Sequence, residues 1–151
     1  NIKLFNNGKI QMTGLKYETH GSKVLEILVP IIKSLDATNE LKIRSATPLI
    51  VPGIFEIPVV IAKNINSYDA FIALGCVIKG ETPHFEIISK VTINIIMDLS
   101  VKFKKPIGNG IITCLNKKQA LDRADPTKRN KGGEAARAVL SVLGILKDET
   151  K

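Results

Sequence analysis

His84 is one of two histidines in the chain and stands within G-E-T-P-H-F-E at residues 80–86. An imidazole titrates near neutrality, so a positioned histidine can take up and return a proton within one catalytic cycle. Thr82 and Pro83 just before it read as a helix start, because threonine can cap free amides and proline fits a first turn that has no amide partner to lose. His84 would then stand at a helix N-terminus, where unpaired amides and the helix dipole favour anions such as phosphate. A surface or capping histidine would occupy the same place, and position near a strand end does not by itself separate the two.

The preceding residues supply the position. Ala70 to Leu74 is an apolar run too short for a helix, and Gly75 interrupts it, so the pattern predicts a strand buried on both faces that ends at the glycine. A strand that feeds a polar loop and then a helix start delivers Thr82 and His84 to the place where parallel sheets bind ligands. Glu56 lies where Ile54-Phe55-Glu56-Ile57 leads into a short helix, Val59 to Ile65, with Pro58 at its start. Its carboxylate could accept hydroxyls of a ligand, or simply favour the positive end of the helix dipole. Arg123 falls near the end of a helix that Asn116 caps and that runs to about Ala124. It is either a fork-shaped anion ligand or a solvated charge.

The rest of the chain alternates between the two periodicities. A helix is predicted from about Pro83 to Phe103, with Ile88, Val91, Ile95 and Leu99 in a stripe broadened by Ile87 and Ile96, enough to cover one face of a sheet. Pro106 to Thr113 reads as a strand whose glycines allow close approach of a ligand or another backbone. After the Asp125-Pro126 break and a basic loop, Gly132-Gly133 precedes a final helix with Ala135, Ala136, Val139, Leu140, Leu143 and Leu146 on its apolar face. Upstream, Lys9 to Tyr17 alternates loosely like a strand, Ser22 to Leu35 has helical spacing despite Pro30, and Leu41 to Val51 reads as a strand ending at Pro52-Gly53. Strands alternating with helices predict an α/β fold with a parallel sheet flanked by helices on both faces. Three loops then share one sheet edge: Pro52 to Glu56, Gly75 to Thr82, and the loop after Thr113.

The 151 residues, 44% of them hydrophobic, predict a single domain over 1–151 with a core that needs neither disulfide nor metal. Cys76 and Cys114 match no metal-ligand spacing and are expected to be buried reduced thiols of a cytoplasmic protein. No leader pattern opens the sequence and no apolar run approaches a membrane span. The charge of +8 and a pI near 9.6 raise nucleic acid as a partner. The lysines are scattered, however, and only 5% of residues are aromatic, which fits a solvated basic surface better than a stacking groove. A positive field would also draw in a phosphorylated substrate.

Four segments together resemble the 6,7-dimethyl-8-ribityllumazine synthase family: V-P-G-I-F-E-I-P at 51–58, L-G-C-V-I-K-G-E-T-P-H-F-E at 74–86, Q-A-L-D-R-A at 119–124 and N-K-G-G-E-A-A at 130–136. The resemblance covers residues from about 41 onward. It implies a flavodoxin-like three-layer sandwich with a parallel four-stranded sheet, and a transferase of riboflavin biosynthesis that condenses 5-amino-6-ribitylaminouracil with 3,4-dihydroxy-2-butanone 4-phosphate. One substrate brings the amine that attacks the ketone, so no metal or other cofactor is expected, only orientation and proton transfer. By resemblance His84 is the general acid/base, Glu81 and Thr82 hold phosphate through backbone amides and a hydroxyl with Arg123, and Ile54, Phe55 and Glu56 hold the ribityl chain. Cys76, Val77 and Ile78 line the pyrimidine site, and Lys131 and Glu134 form a charged pair at its rim. Tyr17 is the nearest match to an aromatic that stacks on the pyrimidine ring, and Asn109 stands where many members carry phenylalanine, which would make that contact polar. Lys79 stands where arginine is commoner.

The resemblance also implies a homo-oligomer, a pentamer or a multiple of one, with association to riboflavin synthase. Each active site would be shared, Phe55, Glu56 and His84 coming from one subunit and Asn109 and Arg123 from its neighbour. Two other classes stay open: a flavin or lumazine binder without turnover on the same fold, and a basic nucleic-acid module, which salt-sensitive binding would reveal.

Overall fold

The computed structural model describes residues 2–4 and 49–148. Within them the elements run β1 (Ile2–Leu4), α1 (Ile57–Lys63), β2 (Ala70–Ile78), α2 (His84–Phe103), β3 (Ile107–Cys114), α3 (Lys117–Ala124) and α4 (Lys131–Asp148). A turn of 3-10 helix at Ile54–Glu56 leads into α1, and another at Ile65–Ser67 follows it. The stretches expected as a strand at Lys9 to Tyr17 and a helix at Ser22 to Leu35 lie outside the described residues. So does most of the strand expected over Leu41 to Val51, of which residues 49–51 join no ladder.

The sheet has three strands among the described residues, in the order β1-β2-β3. β2 and β3 are parallel, as alternation of strand and helix requires, whereas β1 joins β2 antiparallel, Ile2 pairing with Ile72. An all-parallel sheet is therefore not what these residues build. The antiparallel strand comes from the N-terminal stretch that carries no clear sequence pattern.

β2 does not end at Gly75 as its sequence predicts. The glycine stays in the ladder opposite Ile111, and the strand continues to Ile78. Its missing side chain serves packing, since a Cβ there would lie 2.7 Å from Ile54 Cγ2. Gly108 plays the matching part on the other face: a Cβ would lie 2.4 Å from the Ala135 carbonyl oxygen. The close approach that the glycines of β3 allow is thus to the backbone of α4.

Register divides the sheet into two faces. Phe71, Ala73, Val77, Ile107 and Ile111 face a cluster built with Val51, Ile54, Ile57, Ile61, Ile65 and Ile96, which seats α1 and α2. Ile112 and Cys114 meet Ala120 of α3, and Gly108 and Gly110 meet Ala135 of α4. Ala70 to Ala73 are buried on both faces, as a central strand requires.

α2 departs from its expected single stripe. Ile88, Ile96 and Leu99 pack inward, but Val91 and Ile95, expected with them, are exposed, as is Ile87. Together with Met97 (61% exposed) and Val101 (69%) they form an outward apolar face. α4 needs no such account, because Ala135, Ala136, Val139 and Leu140 are buried in the described chain.

Candidate active site

The C-terminal ends of β2 and β3 form one edge, and the ladder is extended there by the Lys79 N–H donating to the Cys114 carbonyl at 2.8 Å. From that point residues 79–83 leave the sheet and return as α2. Glu81, Thr82, Pro83 and His84 are all exposed, so the loop presents its polar groups to solvent at this edge. The helix start differs from the expected one. Pro83 occupies the cap position and there is no side-chain cap bond, so Thr82 is not a cap. The Pro83 carbonyl instead accepts the N–H of Glu86 at 3.1 Å and of Ile87 at 3.2 Å. The Thr82 hydroxyl and the uncapped helix start therefore both stay open to an anion.

A second group comes from the turn at Ile54–Glu56, which lies over β2 because Ile54 packs against Gly75. Ile54 is buried, so its side chain belongs to the core and only Phe55 and Glu56 are presented outward. Phe55 is 55% exposed. Glu56 stands at the start of α1 with its carboxylate folded back toward Gly53, where a Cβ would lie 3.0 Å from Oε2.

Cys76 and Ile78 share the opposite face of β2 with Cys114, while the half-buried Val77 turns toward the core. Cys114 is buried as expected, but Cys76 is exposed, contrary to expectation, because β2 leaves the core beyond Ala73. Partial burial and the neighbouring Cys114 thiol push the Cys76 thiol up from its ordinary value, so it stays protonated.

Lys131 and Glu134, predicted as a pair, are one: Nζ lies 2.6 Å from Oε2 in the first turn of α4. That contact holds the Glu134 carboxyl below its ordinary range. The turn itself is built by Asn130, whose backbone has φ 42 and whose Oδ1 accepts the Gly133 N–H at 3.0 Å. The glycine pair therefore lies inside the helix rather than before it.

Asn109 and Arg123 are not brought to the His84 edge. Asn109 pairs with Ala73, whereas Ile78 pairs with Cys114; at ~3.3 Å per residue that separates Asn109 from the edge by roughly 16 Å. It is exposed, and its Oδ1 accepts the Ile111 N–H at 3.1 Å. Arg123 lies in the last turn of α3, and the whole helix separates it from the edge where α3 begins. Its Nη1 reaches the Gln119 carbonyl at 3.5 Å. Tyr17 is outside the described residues.

Two features of this region escape sequence reading. Lys79 Nζ and Glu86 Oε1 are 2.7 Å apart across the loop, one just past β2 and the other in α2, so no single period relates them. Asp122 lies between Lys118 Nζ at 3.0 Å and Lys128 Nζ at 2.7 Å. The first of those contacts has i, i+4 spacing and was legible; the second depends on how the chain turns after α3.

The model of the 6,7-dimethyl-8-ribityllumazine synthase family matches residues 22–147. Among similar curated proteins, 6,7-dimethyl-8-ribityllumazine synthase 1 of Rhodopseudomonas palustris is 46% identical over 136 residues, covering 85% of this chain and 79% of the relative. The 6,7-dimethyl-8-ribityllumazine synthase of Bartonella tribocorum is 48% identical over 134 residues, 87% of this chain and 84% of its own. That of Sphingopyxis alaskensis is 50% identical over 121 residues, 79% of this chain and 82% of the relative.

Proposed function

The chain belongs to the 6,7-dimethyl-8-ribityllumazine synthase family, and we propose that it condenses 5-amino-6-ribitylaminouracil with 3,4-dihydroxy-2-butanone 4-phosphate, the penultimate step of riboflavin biosynthesis. What carries this reading is the family match over residues 22–147, which spans every candidate site residue except Tyr17. The substrate amine adds to the ketone, and loss of water from the adduct gives an imine. A proton then leaves the carbon beside the imine as phosphate departs from the next carbon. Ring closure by the second amino group, with loss of a further water, completes the lumazine. His84 is the acid and base of these steps, exposed at the edge where a substrate can reach it. The backbone amides of Glu81 and Thr82, the Thr82 hydroxyl and the start of α2 receive the phosphate, with Arg123 as a charged partner.

In this proposal Phe55 and Glu56 hold the ribityl chain, Ile54 contributing through its backbone, and Cys76 and Ile78, with the backbone of Val77, line the pyrimidine site with Tyr17 stacking on the ring. The Lys131–Glu134 pair lies at the rim. Asn109 and Arg123 serve a site of the adjoining subunit, which accounts for their distance from His84. A homo-oligomer, a pentamer or a multiple of it, fits this division, and the outward apolar face of α2 is a surface such an assembly would cover. The same proposal takes the chain as one flavodoxin-like domain with a four-stranded parallel sheet, working in the cytoplasm and associating with riboflavin synthase. Among the described residues no helix is long and apolar enough to cross a membrane.

The test is to mix the purified protein with both substrates and follow lumazine absorbance, beside His84→Ala. Turnover above the uncatalysed rate, lowered roughly 10²–10⁴-fold in the variant, is the expected result. Absence of lumazine above background overturns the proposal. Undiminished turnover in the variant removes His84 from its role.

A further inference from the structure

Residues 80–83 form an exposed loop that leads into His84 at the start of α2, with little among the described residues to hold it. Glu81, Thr82, Pro83 and His84 are exposed, and a side-chain atom added at Gly80 would meet nothing within 4 Å. Among the described residues packing therefore does not fix the loop. Its two ends are fixed: Lys79 N–H bonds to the Cys114 carbonyl at the end of the ladder, and Glu86 N–H bonds to the Pro83 carbonyl in the first turn of α2. Between those anchors one ion pair among the described residues, Lys79 Nζ to Glu86 Oε1 at 2.7 Å, closes the loop at its base.

The pair has a second electrostatic effect. Glu86 places a carboxylate in the first turn of α2, the turn whose amides and dipole would attract an anion. An uncompensated carboxylate there opposes a second negative group. With Lys79 beside it the pair is close to neutral, so the carboxylate opposes a second anion less.

We infer that Lys79 and Glu86 are positioning residues, a latch that sets the geometry of the loop carrying Thr82 and His84 and cancels a charge that would repel a phosphorylated substrate. The inference rests on the synthase reading for its substrate but not for its structural part. The Lys79 ammonium holds the Glu86 carboxyl below its ordinary range. Both side chains are about half exposed, so the pair adds little to global stability, and a merely stabilising role would leave no other mark.

The experiment compares wild type, Lys79→Met, Lys79→Arg and Glu86→Gln by hydrogen exchange of the hydrogen-bonded amides that flank the loop, Lys79, Glu86 and Ile87, and by steady-state kinetics. Lys79→Met and Glu86→Gln should both speed exchange at those amides several-fold with an unchanged melting temperature, and Lys79→Arg should keep the wild-type protection. The KM for butanone phosphate should separate the two: it rises more in Lys79→Met, which leaves a bare carboxylate, than in Glu86→Gln, which leaves a free ammonium. Unaltered exchange in both latch variants overturns the inference, as does an equal rise of KM in the two. If wild type forms no lumazine, the synthase reading fails while the exchange comparison still decides whether the latch exists.

Discussion

Gly108→Ala adds one methyl group at the tightest contact between sheet and helix. Its Cβ would lie 2.4 Å from the Ala135 carbonyl oxygen and 2.7 Å from Val139 Cγ2. Carbon contacts settle at about 3.5–4.0 Å, so α4 must retreat by roughly 1 Å, and the Ala135 obstacle is backbone that cannot rotate aside. Overpacking of this kind costs roughly 1–3 kcal/mol. For a chain of this size that lowers the melting temperature by very roughly 2–12 °C. Gly144→Ala is the matched control on α4 itself, because nothing lies within 4 Å of the added atom and the residue is helical. There alanine should stabilise by about 0.5–1 kcal/mol through helix propensity. Thermal and urea unfolding of both variants at one protein concentration measure the contrast, the common concentration keeping any association constant. If Gly108→Ala unfolds at the wild-type temperature, the contact does not hold α4 and the reasoning is wrong.

Two further predictions concern charge and backbone. Contacts with Lys128 and Lys118 bring the Asp122 carboxyl down to about 2, below the ~3.9 of an unfolded chain. Its folded pKa is depressed, so its stabilising contribution is fully present above about pH 4 and is lost as pH falls toward 2. Melting temperature should therefore fall more steeply over that window in wild type than in Asp122→Asn, and the difference should shrink in high salt because the group is exposed to solvent. Lys104 ends α2 with φ 50, a left-handed conformation costly for a side chain. Lys104→Gly should raise stability by about 1 kcal/mol in urea unfolding, and a loss would show that the lysine side chain contributes something the cap geometry does not reveal.

Much of the architecture from Ile54 onward is legible because it depends on local chemistry. Asn116 caps α3 as its type and place require, its Oδ1 accepting the Gln119 N–H at 2.9 Å. The spans of α2 and β3 follow from periodicity and from Pro83 and Pro106 at their starts. The errors arise where a distant residue decides. Gly75 looks like a strand breaker in sequence, and only Ile54, brought over it by the fold, shows that it is a packing residue. Cys76 reads as core because its neighbours are apolar, yet β2 runs past the helices that would cover it. The apolar positions of α2 exceed what one sheet can bury, and sequence alone does not say that the surplus points outward. The site follows the same division: Glu56 and His84 were placed correctly at helix starts, while the latch from Lys79 to Glu86 and the remoteness of Asn109 belong to tertiary geometry.

The parallel ladder between β2 and β3 bears on how the chain reaches its fold. Every rung from Phe71–Ile107 to Ile78–Cys114 joins residues separated in sequence by the whole of α2. No rung can form as a local hairpin, so the entropy of closing that loop must be overcome before the first pairing contributes. A preformed α2 shortens the effective loop and makes helix formation a kinetic prerequisite of the sheet. Lengthening the exposed stretch at residues 80–83 would then slow refolding only slightly, since closure entropy grows as the logarithm of length, whereas a proline in the middle of α2 would slow it severely.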